Sequence, residues 1–473
     1  MQITLIGWIF IALSVYGFVR NKNLLLYLMI IASVFTAASV INIQSTVTGI
    51  QPFYLVGTLW ILRTLIEWYK RKISIKEIIS KIKADRLLKA LVYMMLAIIL
   101  SEFVLLIFNG KFKYLDTSEM KTVYIRFNKS NITQPIYALF GLIIAFVMRI
   151  DLENERKLIS NVIKTFIITT FAAVIWGLIQ FILFYVGVKY PSWIFNNNIS
   201  YAQLYDQIVH GIKRINSVAL EPSMFALNIM MVFPGLIILF LGRYKLFASK
   251  VKSMIFLAVN LAMTFLCAIL TTSTTAYVGI VVSILLVSIY VVFISPKGYE
   301  LEGNKRYIGY FYCVIILIII VAYLLLIKVF NIDFNTIVNM LKDMTVNKKN
   351  LQSGNERTNA VYTAVNILKM NPITGCGYGS YRSLDLVTQL LANTGILGLL
   401  AYLNILYVVL RKLVKYIKIN EVQAISLLMS IIVASLGLMI SIPDMTFGYY
   451  WISICIAYIW SVEYKEEQYD NRN

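Results

Sequence analysis

Charged residues are scarce in this sequence: Asp, Glu, Lys and Arg make up 14% of its 473 residues. A soluble chain of ordinary composition has about 25% charged residues, so too few polar side chains are present to cover a water-facing surface. The chain also has one histidine and four cysteines, without a repeated cysteine spacing, which argues against a zinc or haem site and against a disulfide scaffold. The composition excludes an ordinary soluble protein and equally a disordered or collagen-like one.

Apolar residues, in contrast, make up 59% of the chain. A membrane-spanning helix needs about 20 mostly apolar residues, because the hydrocarbon layer is about 30 Å thick. The sequence therefore predicts an all-α, polytopic membrane helix bundle of about 12–13 transmembrane helices that forms a single domain over 1–473. The first span is not read as a removable signal peptide, since it lacks a basic start and a small-residue cleavage site. The candidate spans are 3–19, 24–42, 53–69, 88–108, 132–149, 163–187, 223–242, 253–271, 275–295, 307–330, 386–410, 422–440 and 446–461.

The net charge of +20 is explained by where the cations fall. Alternate connections between the candidate spans are short and rich in Lys and Arg, and such connections remain on the cytoplasmic side. The pattern predicts an outward N-terminus, an inward C-terminus and contact with membrane lipid, and it argues against a nucleic-acid partner. The basic connections are 20–23, 70–87, 150–162, 243–252, 296–306 and 411–421.

Two predicted external loops are long, 188–222 and 331–385, and long loops are usually functional. In the second loop, the apolar residues of 357–369 share one helical face, which predicts a short amphipathic helix on the outer membrane face. Asn355 is the expected cap at its start, and Pro372 is expected to end it.

The end of the first long loop holds one group of candidate site residues. His210, Lys213 and Arg214 precede Glu221, which is followed by the start of the next span at Pro222. An arginine fork suits phosphate oxygens, and a carboxylate at a helix start is stabilised by the helix dipole. In the alternative interpretation, the two cations contact lipid head groups and Glu221 only caps the helix.

The second long loop holds another group. Arg357 opens the amphipathic helix, and three alternating glycines follow its end at 375, 377 and 379. Such glycines let backbone N–H groups approach an anion. Tyr378, Tyr381 and Arg382 are interleaved with them, and tyrosine rings suit sugars. A tight surface turn is the alternative.

Two further features lie at or within the predicted spans. The hydroxyl-rich turn 271–275, with Ser273 at its centre, can bind a ligand or pack helices closely. Glu102 lies about two turns inside the end of its span. A carboxylate at that depth indicates a functional site, unless it pairs with a nearby cation.

Taken in order, four stretches resemble the O-antigen polymerase (Wzy) and O-antigen ligase superfamily of bacterial envelope glycosyltransferases. They are RINSVALEPS at 214–223, TTSTTAYVG at 271–279, Arg357 followed by NPITGCGYG at 371–379, and LANTGILG at 391–398. Ligase-type members often have Ser-Arg where this chain has Ser273-Thr274, and often have a histidine where it has Leu384-Asp385. Both departures favour a polymerase over a ligase.

The resemblance implies a GT-C-like bundle that polymerises oligosaccharide repeat units linked to undecaprenyl diphosphate. The product is O-antigen, capsule or exopolysaccharide. The implied location is the bacterial cytoplasmic (inner) membrane, with the active site facing outward. No metal and no cofactor are expected. The implied partners are the lipid-linked oligosaccharide itself, a chain-length regulator and a flippase.

The chemistry of such a reaction assigns roles to the candidate residues. Negative charge grows on the departing diphosphate, and fixed cations such as Arg214 and Arg357 lower that barrier. The acceptor hydroxyl loses a proton, so a carboxylate base is useful, with Glu221 as first choice. Asp385 and Glu356 are the reserves, and Glu221 can instead hold Arg214 in place.

Two other functions remain open on the sequence. A ligase would transfer finished glycan to a different acceptor by related chemistry. A polysaccharide flippase or transporter would have a similar number of spans, but such proteins usually show charged sites near the bilayer midplane and internal repeats.

Overall fold

The computed structural model describes residues 1–153, 155–209, 211–294, 352–417 and 421–470, besides the isolated positions 335, 338, 339, 342 and 419. The described chain is dominated by α-helices, which confirms the predicted all-α class. The helices are α1 (Leu5–Arg20), α2 (Lys22–Val34), α3 (Pro52–Lys70), α4 (Ile75–Ala84), α5 (Arg86–Ile107), α6 (Ser130–Asp151), α7 (Arg156–Tyr185), α8 (Ser192–Phe195), α9 (Pro222–Met230), α10 (Phe233–Leu241), α11 (Lys250–Leu270), α12 (Thr274–Ile289), α13 (Gln352–Met370), α14 (Leu386–Val414), α15 (Val422–Ser441) and α16 (Gly448–Asp470).

Short antiparallel strands lie in the connections. In the N-terminal sheet, Gln2 pairs with Asn42, and Ile41 pairs with Ile50. The other two sheets are hairpins of two strands each. The strands are β1 (Gln2–Ile3), β2 (Ile41–Ile43), β3 (Thr48–Ile50), β4 (Lys113–Asp116), β5 (Lys121–Tyr124), β6 (Ile208–Val209) and β7 (Ile212–Lys213).

Eight helical segments of the described chain are long and apolar enough to cross a membrane, which makes it a multi-pass membrane protein. Three shorter apolar helices, α1, α2 and the apolar part of α16, coincide with further predicted spans. The predicted span 53–69 is the helix α3, and 307–330 lies outside the described residues. The eight are Arg86–Ile107, Ser130–Asp151, Lys157–Tyr185, Pro222–Leu241, Lys250–Leu270, Thr274–Val292, Leu386–Ile417 and Val422–Ser441.

One predicted span is too long. The segment 24–42 was expected to be one helix, but α2 ends at Val34. Beyond it, the Ala37 N–H donates to the Val218 carbonyl at 2.9 Å, and the Val40 N–H donates to the Ile50 carbonyl at 2.7 Å. These tertiary hydrogen bonds replace the helical ones, which an apolar run alone does not reveal.

Backbone contacts divide the chain into two compact units. The first unit comprises Met1–Arg63, Glu155–Thr345 and Leu413–Ala434. Within it, α2 packs against α1 and α7, and α11 packs against α7, α10 and α12. Thr4 begins α1, since its Oγ1 accepts the Gly7 N–H at 3.0 Å.

The second unit comprises Thr64–Asn154, Val346–Lys412 and Ser435–Asn473, and α6 packs between α5 and α16. A single carboxylate, that of Asp85, joins two of these helices. Its Oδ1 caps α5 by accepting the Leu87 and Leu88 N–H groups, and its Oδ2 lies 2.8 Å from Nη2 of the buried Arg149 on α6. Breaking a buried pair of this kind by removing one partner costs about 3–5 kcal/mol.

The amphipathic helix predicted at 357–369 is the helix α13, whose described residues begin earlier, at Gln352. Asn355 therefore lies inside the helix, and its assignment as the cap was wrong. The predicted C-terminal end of the helix agrees with the structure, because Pro372 lies two positions after the last helical residue, Met370. The buried side of α13 packs against the β4–β5 hairpin, where the Thr117 Oγ1 donates to the Asn359 carbonyl at 2.7 Å.

Candidate functional site

The Arg214 loop, residues 186–221 between α7 and α9, brings several predicted site residues of the first unit together. Its C-terminal end is as the sequence indicates: Pro222 is the first residue of α9 and Glu221 is its N-cap. The Glu221 carboxylate does not cap the backbone of that helix. Its Oε2 instead accepts the Ser223 hydroxyl at 3.2 Å.

Arg214 directly follows the β6–β7 hairpin and is largely buried. Its backbone N–H donates to the Gln207 carbonyl at 3.0 Å. Its Nη1 donates to Gln207 Oε1 at 2.8 Å, and its Nε donates to the Thr271 carbonyl at 3.3 Å. The other N–H groups of the guanidinium have no hydrogen-bond partner among the described residues, so this fork is fixed at one side and available at the other.

The charge of Arg214 is only partly compensated. Burial lowers the pKa of its guanidinium, and the nearby Tyr277 and Glu221 side chains oppose that shift. Arginine stays protonated in proteins, so the loop holds a permanent cation in a place of low solvation. Such a cation attracts an anion more strongly than an exposed one does.

The hydroxyl-rich turn 271–275 lies against Arg214 through the Thr271 carbonyl. Ser273 is the N-cap position of α12 and is 5% exposed, and its N–H donates to Thr271 Oγ1 at 3.3 Å. Two stretches that are distant in sequence therefore meet at this arginine. Whether Ser273 binds substrate stays a prediction.

Lys213 is placed differently from its neighbour. Its side chain is 3% exposed, and its ammonium donates to the Tyr205 carbonyl and lies 3.5 Å from Asp206 Oδ1. It also lies 5.3 Å from the centre of the Phe184 ring. Burial lowers the pKa of Lys213, and Asp206 opposes the shift. These contacts within the protein occupy the Lys213 ammonium, so its assignment as a substrate-binding group stays a prediction. The other predicted residue of this stretch, His210, lies outside the described residues.

In the second unit, Arg357 lies on α13 and is partly exposed. Its Nη1 donates to the Leu384 carbonyl at 3.4 Å. Next to that carbonyl, Asp385 starts α14, since its two carboxylate oxygens accept the Thr388 N–H and hydroxyl. The reserve base Asp385 is thus used as a helix cap, and Glu356 is exposed on α13.

The glycine loop, residues 371–385 between α13 and α14, interlocks with a break in α14. At Gly395 the backbone leaves the helical conformation, with φ 64° and ψ −164°. The break frees two carbonyls and two N–H groups, and the loop satisfies them. The four hydrogen bonds run from Cys376 N to Ala392 O, Gly377 N to Asn393 O, Ile396 N to Pro372 O and Leu397 N to Ile373 O.

This pairing argues against an anion cradle formed by the N–H groups of Gly375 and Gly377. The Gly375 N–H donates to the Asn371 carbonyl at 3.0 Å, and the Gly377 N–H donates to Asn393 at 3.1 Å. These groups are therefore not available to an anion. The glycines are needed for close approach instead: a Cβ on Gly375 would lie 2.3 Å from the Asn393 carbonyl carbon.

The other residues predicted in this loop are distributed around it. Tyr378 is 3% exposed, and burial raises the pKa of its phenol. The Tyr381 hydroxyl donates to the Ala360 carbonyl at 3.0 Å, and burial raises its pKa to about 12. Arg382 is exposed and pairs with Asp444 at 3.6 Å. The substrate contacts assigned to these three side chains stay predictions.

Glu102 lies on α5 beside the Asn131 side chain and the backbone of Tyr378. Both of its carboxylate oxygens are buried and form no hydrogen bond within the described part of the chain. Among the described residues, Glu102 forms no ion pair with a cation, which was the alternative interpretation. Asn131 itself joins α6 to the glycine loop, through Ser380 Oγ at 2.9 Å and the Tyr378 carbonyl.

Several side chains that shape these regions were missed from the sequence. Gln180, Gln207 and Asn216 support the Arg214 loop, and Asp444 pairs with Arg382. Of these residues, only Gln180 could have been singled out from the sequence, because a lone amide in an apolar span requires hydrogen-bond partners. The others lie in polar connections, where nothing in the pattern marks them. Arg214 and Arg357 belong to different units, and their convergence on one substrate stays a prediction.

Comparison with known families agrees with the motifs. Residues 258–403 match the model of the family described as O-antigen ligase. The match includes the 271–275 turn, Arg357, the glycine loop and the break in α14, while the 214–223 stretch precedes it. No curated protein gives a significant match to the chain. Residues 258–403 are thus similar to the O-antigen ligase family, which is consistent with the Wzy and O-antigen ligase superfamily that the four motifs predict.

Proposed function

We propose that this protein is a polymerase that joins oligosaccharide repeat units linked to undecaprenyl diphosphate. It acts in the bacterial cytoplasmic membrane with its site facing outward. The observation that carries the proposal is Arg214, a largely buried cation whose guanidinium is held by Gln207 and Thr271 on one side. A diphosphate suits the remaining N–H groups, because arginine binds phosphate oxygens with two parallel hydrogen bonds.

The reaction breaks the bond between the anomeric carbon of the growing glycan and the diphosphate oxygen. The same carbon then bonds to a hydroxyl oxygen of the second lipid-linked unit, and the lipid diphosphate leaves with the bonding electron pair. Negative charge therefore grows on the diphosphate in the transition state. A preorganised donor aimed at such charge contributes about 10²–10³ in rate.

The acceptor hydroxyl must lose its proton during this step. Glu221 is the proposed base, because its carboxylate lies in the same loop as Arg214 and interacts with it electrostatically. Among the described residues, its carboxylate accepts one side-chain hydrogen bond, from the Ser223 hydroxyl. Lone pairs therefore remain to accept the proton of the acceptor hydroxyl. Asp385 is less suited, since its carboxylate already accepts two hydrogen bonds from Thr388.

Arg357 is the second cation that the reaction is proposed to require. It lies within the residues that match the O-antigen ligase family. Its hydrogen bond to the Leu384 carbonyl holds one side of the guanidinium. Tyr381 and Arg382 are proposed to contact the sugar, and the flippase and chain-length regulator remain proposed partners.

The test uses purified protein and lipid-linked repeat units extracted from a deletion strain, in which single units accumulate. The wild-type protein should produce a ladder of longer glycans, and Arg214→Ala should slow its formation by about 10²–10³. Arg20→Ala is the matched control, because Arg20 lies at the end of α1 in the same unit and is exposed. An unchanged ladder from the Arg214 variant would contradict the proposal.

A ligase is the second candidate, favoured by the description of the matching family. The same assay separates the two functions. Given only lipid-linked repeat units, a polymerase forms a ladder, whereas a ligase leaves the units at their original length. A ligase would extend its product only when the separate glycan acceptor is added.

A further inference from the structure

Gln180 is a polar residue in the apolar second half of α7, between Ile179 and Phe181. Its side chain is 0% exposed. A buried amide destabilises a fold unless both its oxygen and its nitrogen find hydrogen-bond partners. The hydrogen-bond partners of Gln180 therefore indicate its structural role.

Both ends of the Gln180 amide bind the Arg214 loop. Its Oε1 accepts the backbone N–H groups of Asn216 at 3.1 Å and of Ser217 at 2.9 Å. Its Nε2 donates to Asn216 Oδ1 at 2.9 Å and to the Tyr205 carbonyl at 3.3 Å. One side chain of a long helix thus joins the chain before β6 to the chain after β7.

The attachment at Ser217 holds a strained backbone. Ser217 has a φ of 51°, a left-handed conformation that residues other than glycine adopt rarely. Besides the bond to Gln180, its Oγ donates to the carbonyl of Ala173, also on α7, at 2.6 Å. A strained residue persists only when its surroundings fix it, and here α7 fixes Ser217 at two points.

Arg214 lies between the two attachment points, Tyr205 and Asn216. Its own hydrogen bonds to Gln207 and Thr271 hold the guanidinium, and the Ile215 N–H attaches the chain after the hairpin to the Leu270 carbonyl at 3.2 Å. We propose that Gln180 is a positioning residue: it fixes the hairpin to α7 and so sets the place of the Arg214 guanidinium at the lipid diphosphate. This role rests on the function proposed above.

The proposal predicts a defect in the chemical step. A small displacement of a catalytic group can cost about a hundredfold in rate, while the rest of the substrate still binds. Gln180→Met, which keeps the size but loses all four hydrogen bonds, should lower kcat about tenfold to a hundredfold with little change in KM. Gln180→Glu keeps both accepted N–H bonds and should recover part of that loss.

Thr170→Val is the matched control. Thr170 is also buried on α7, and its hydroxyl has no hydrogen-bond partner within the described residues. This variant should have the wild-type kcat and KM. If Gln180→Met is not recovered folded, Gln180→Glu is compared with Thr170→Val, and a lowered kcat at unchanged KM supports the proposal.

A double variant distinguishes positioning from a general effect on the fold. If Gln180 acts through Arg214, Gln180→Met should remove nothing further from the residual rate of Arg214→Ala. Multiplied losses, or full activity of both Gln180 variants, would overturn the positioning role. The proposed function fails separately, if Arg214→Ala itself retains the wild-type rate.

Discussion

The Arg214 loop and the glycine loop are held in place by different groups. Side-chain amides support the first: Gln180 and Gln207 bind its backbone and its arginine. Backbone groups support the second, which pairs with the chain on both sides of the Gly395 break. Each loop follows a helix of its own unit and carries residues of a superfamily motif.

This difference decides which substitutions each loop tolerates. A loop supported by amides depends on a few polar side chains. A loop supported by backbone pairing depends on glycine, because a Cβ would separate the paired chains. Activity should therefore be sensitive to polar variants in the first loop, and folding should be sensitive to glycine variants in the second.

The largest expected effect is that of Gly375→Ala. Gly375 has a φ of 69°, and a Cβ there would lie 2.3 Å from the Asn393 backbone. The expected destabilisation exceeds about 4 kcal/mol, measured as loss of folded protein in a thermal unfolding assay in detergent.

Gly211→Ala is its control in the Arg214 loop. Gly211 has a similar φ of 76°, but nothing lies within 4 Å of its Cβ position. Only the backbone cost of about 1–2 kcal/mol remains. Equal destabilisation by the two variants would contradict the role given to backbone pairing.

The next largest effect is expected for Glu221→Gln. This change keeps a partner for the Ser223 hydroxyl but removes the negative charge near Arg214. If Glu221 is the base, kcat should fall about 10²–10⁴, measured with lipid-linked units. A loss of only a few fold would show that Glu221 holds Arg214 rather than accepting a proton.

A smaller effect is expected when either arginine becomes lysine. Arg214→Lys keeps the charge but cannot bind both Gln207 and Thr271 while facing a ligand, so about a tenfold loss of kcat is expected, or about 1.4 kcal/mol. Arg357→Lys should cost less, because among the described residues the structure shows one guanidinium hydrogen bond for Arg357, to the Leu384 carbonyl, and two for Arg214. The reverse order of the two losses would show that the second unit carries the stricter requirement.

Hydropathy predicted most helices well, because a span depends on composition over many residues. The predicted 88–108 and 422–440 match α5 and α15 within two residues. The prediction from hydropathy failed where tertiary hydrogen bonds end a helix, as at Val34, and where a helix is interrupted, as at Gly395. A glycine in an apolar run gives no sign of a distant loop that will pair with it.

The site residues show the same limit. The position of Glu221 before a helix with Pro222 at its start was predictable, since proline favours the first turn. The support of the Arg214 loop by Gln180 was not, because it depends on partners that lie 25 to 37 residues away in the sequence. The sequence alone also leaves the role of Gly375 and Gly377 open between anion binding and close packing, because glycine permits both and the residues that pair with the loop are distant in sequence.

The interlocked glycine loop has a consequence for exchanging parts between such enzymes. A graft of residues 371–385 alone would bring new carbonyl and N–H spacings to an unchanged α14, and up to four main-chain groups would lose their partners. Each unpaired group costs several kcal/mol where water is absent. Donor segments for chimeric proteins should therefore include both 371–385 and 392–397, so that the paired main-chain groups are exchanged together.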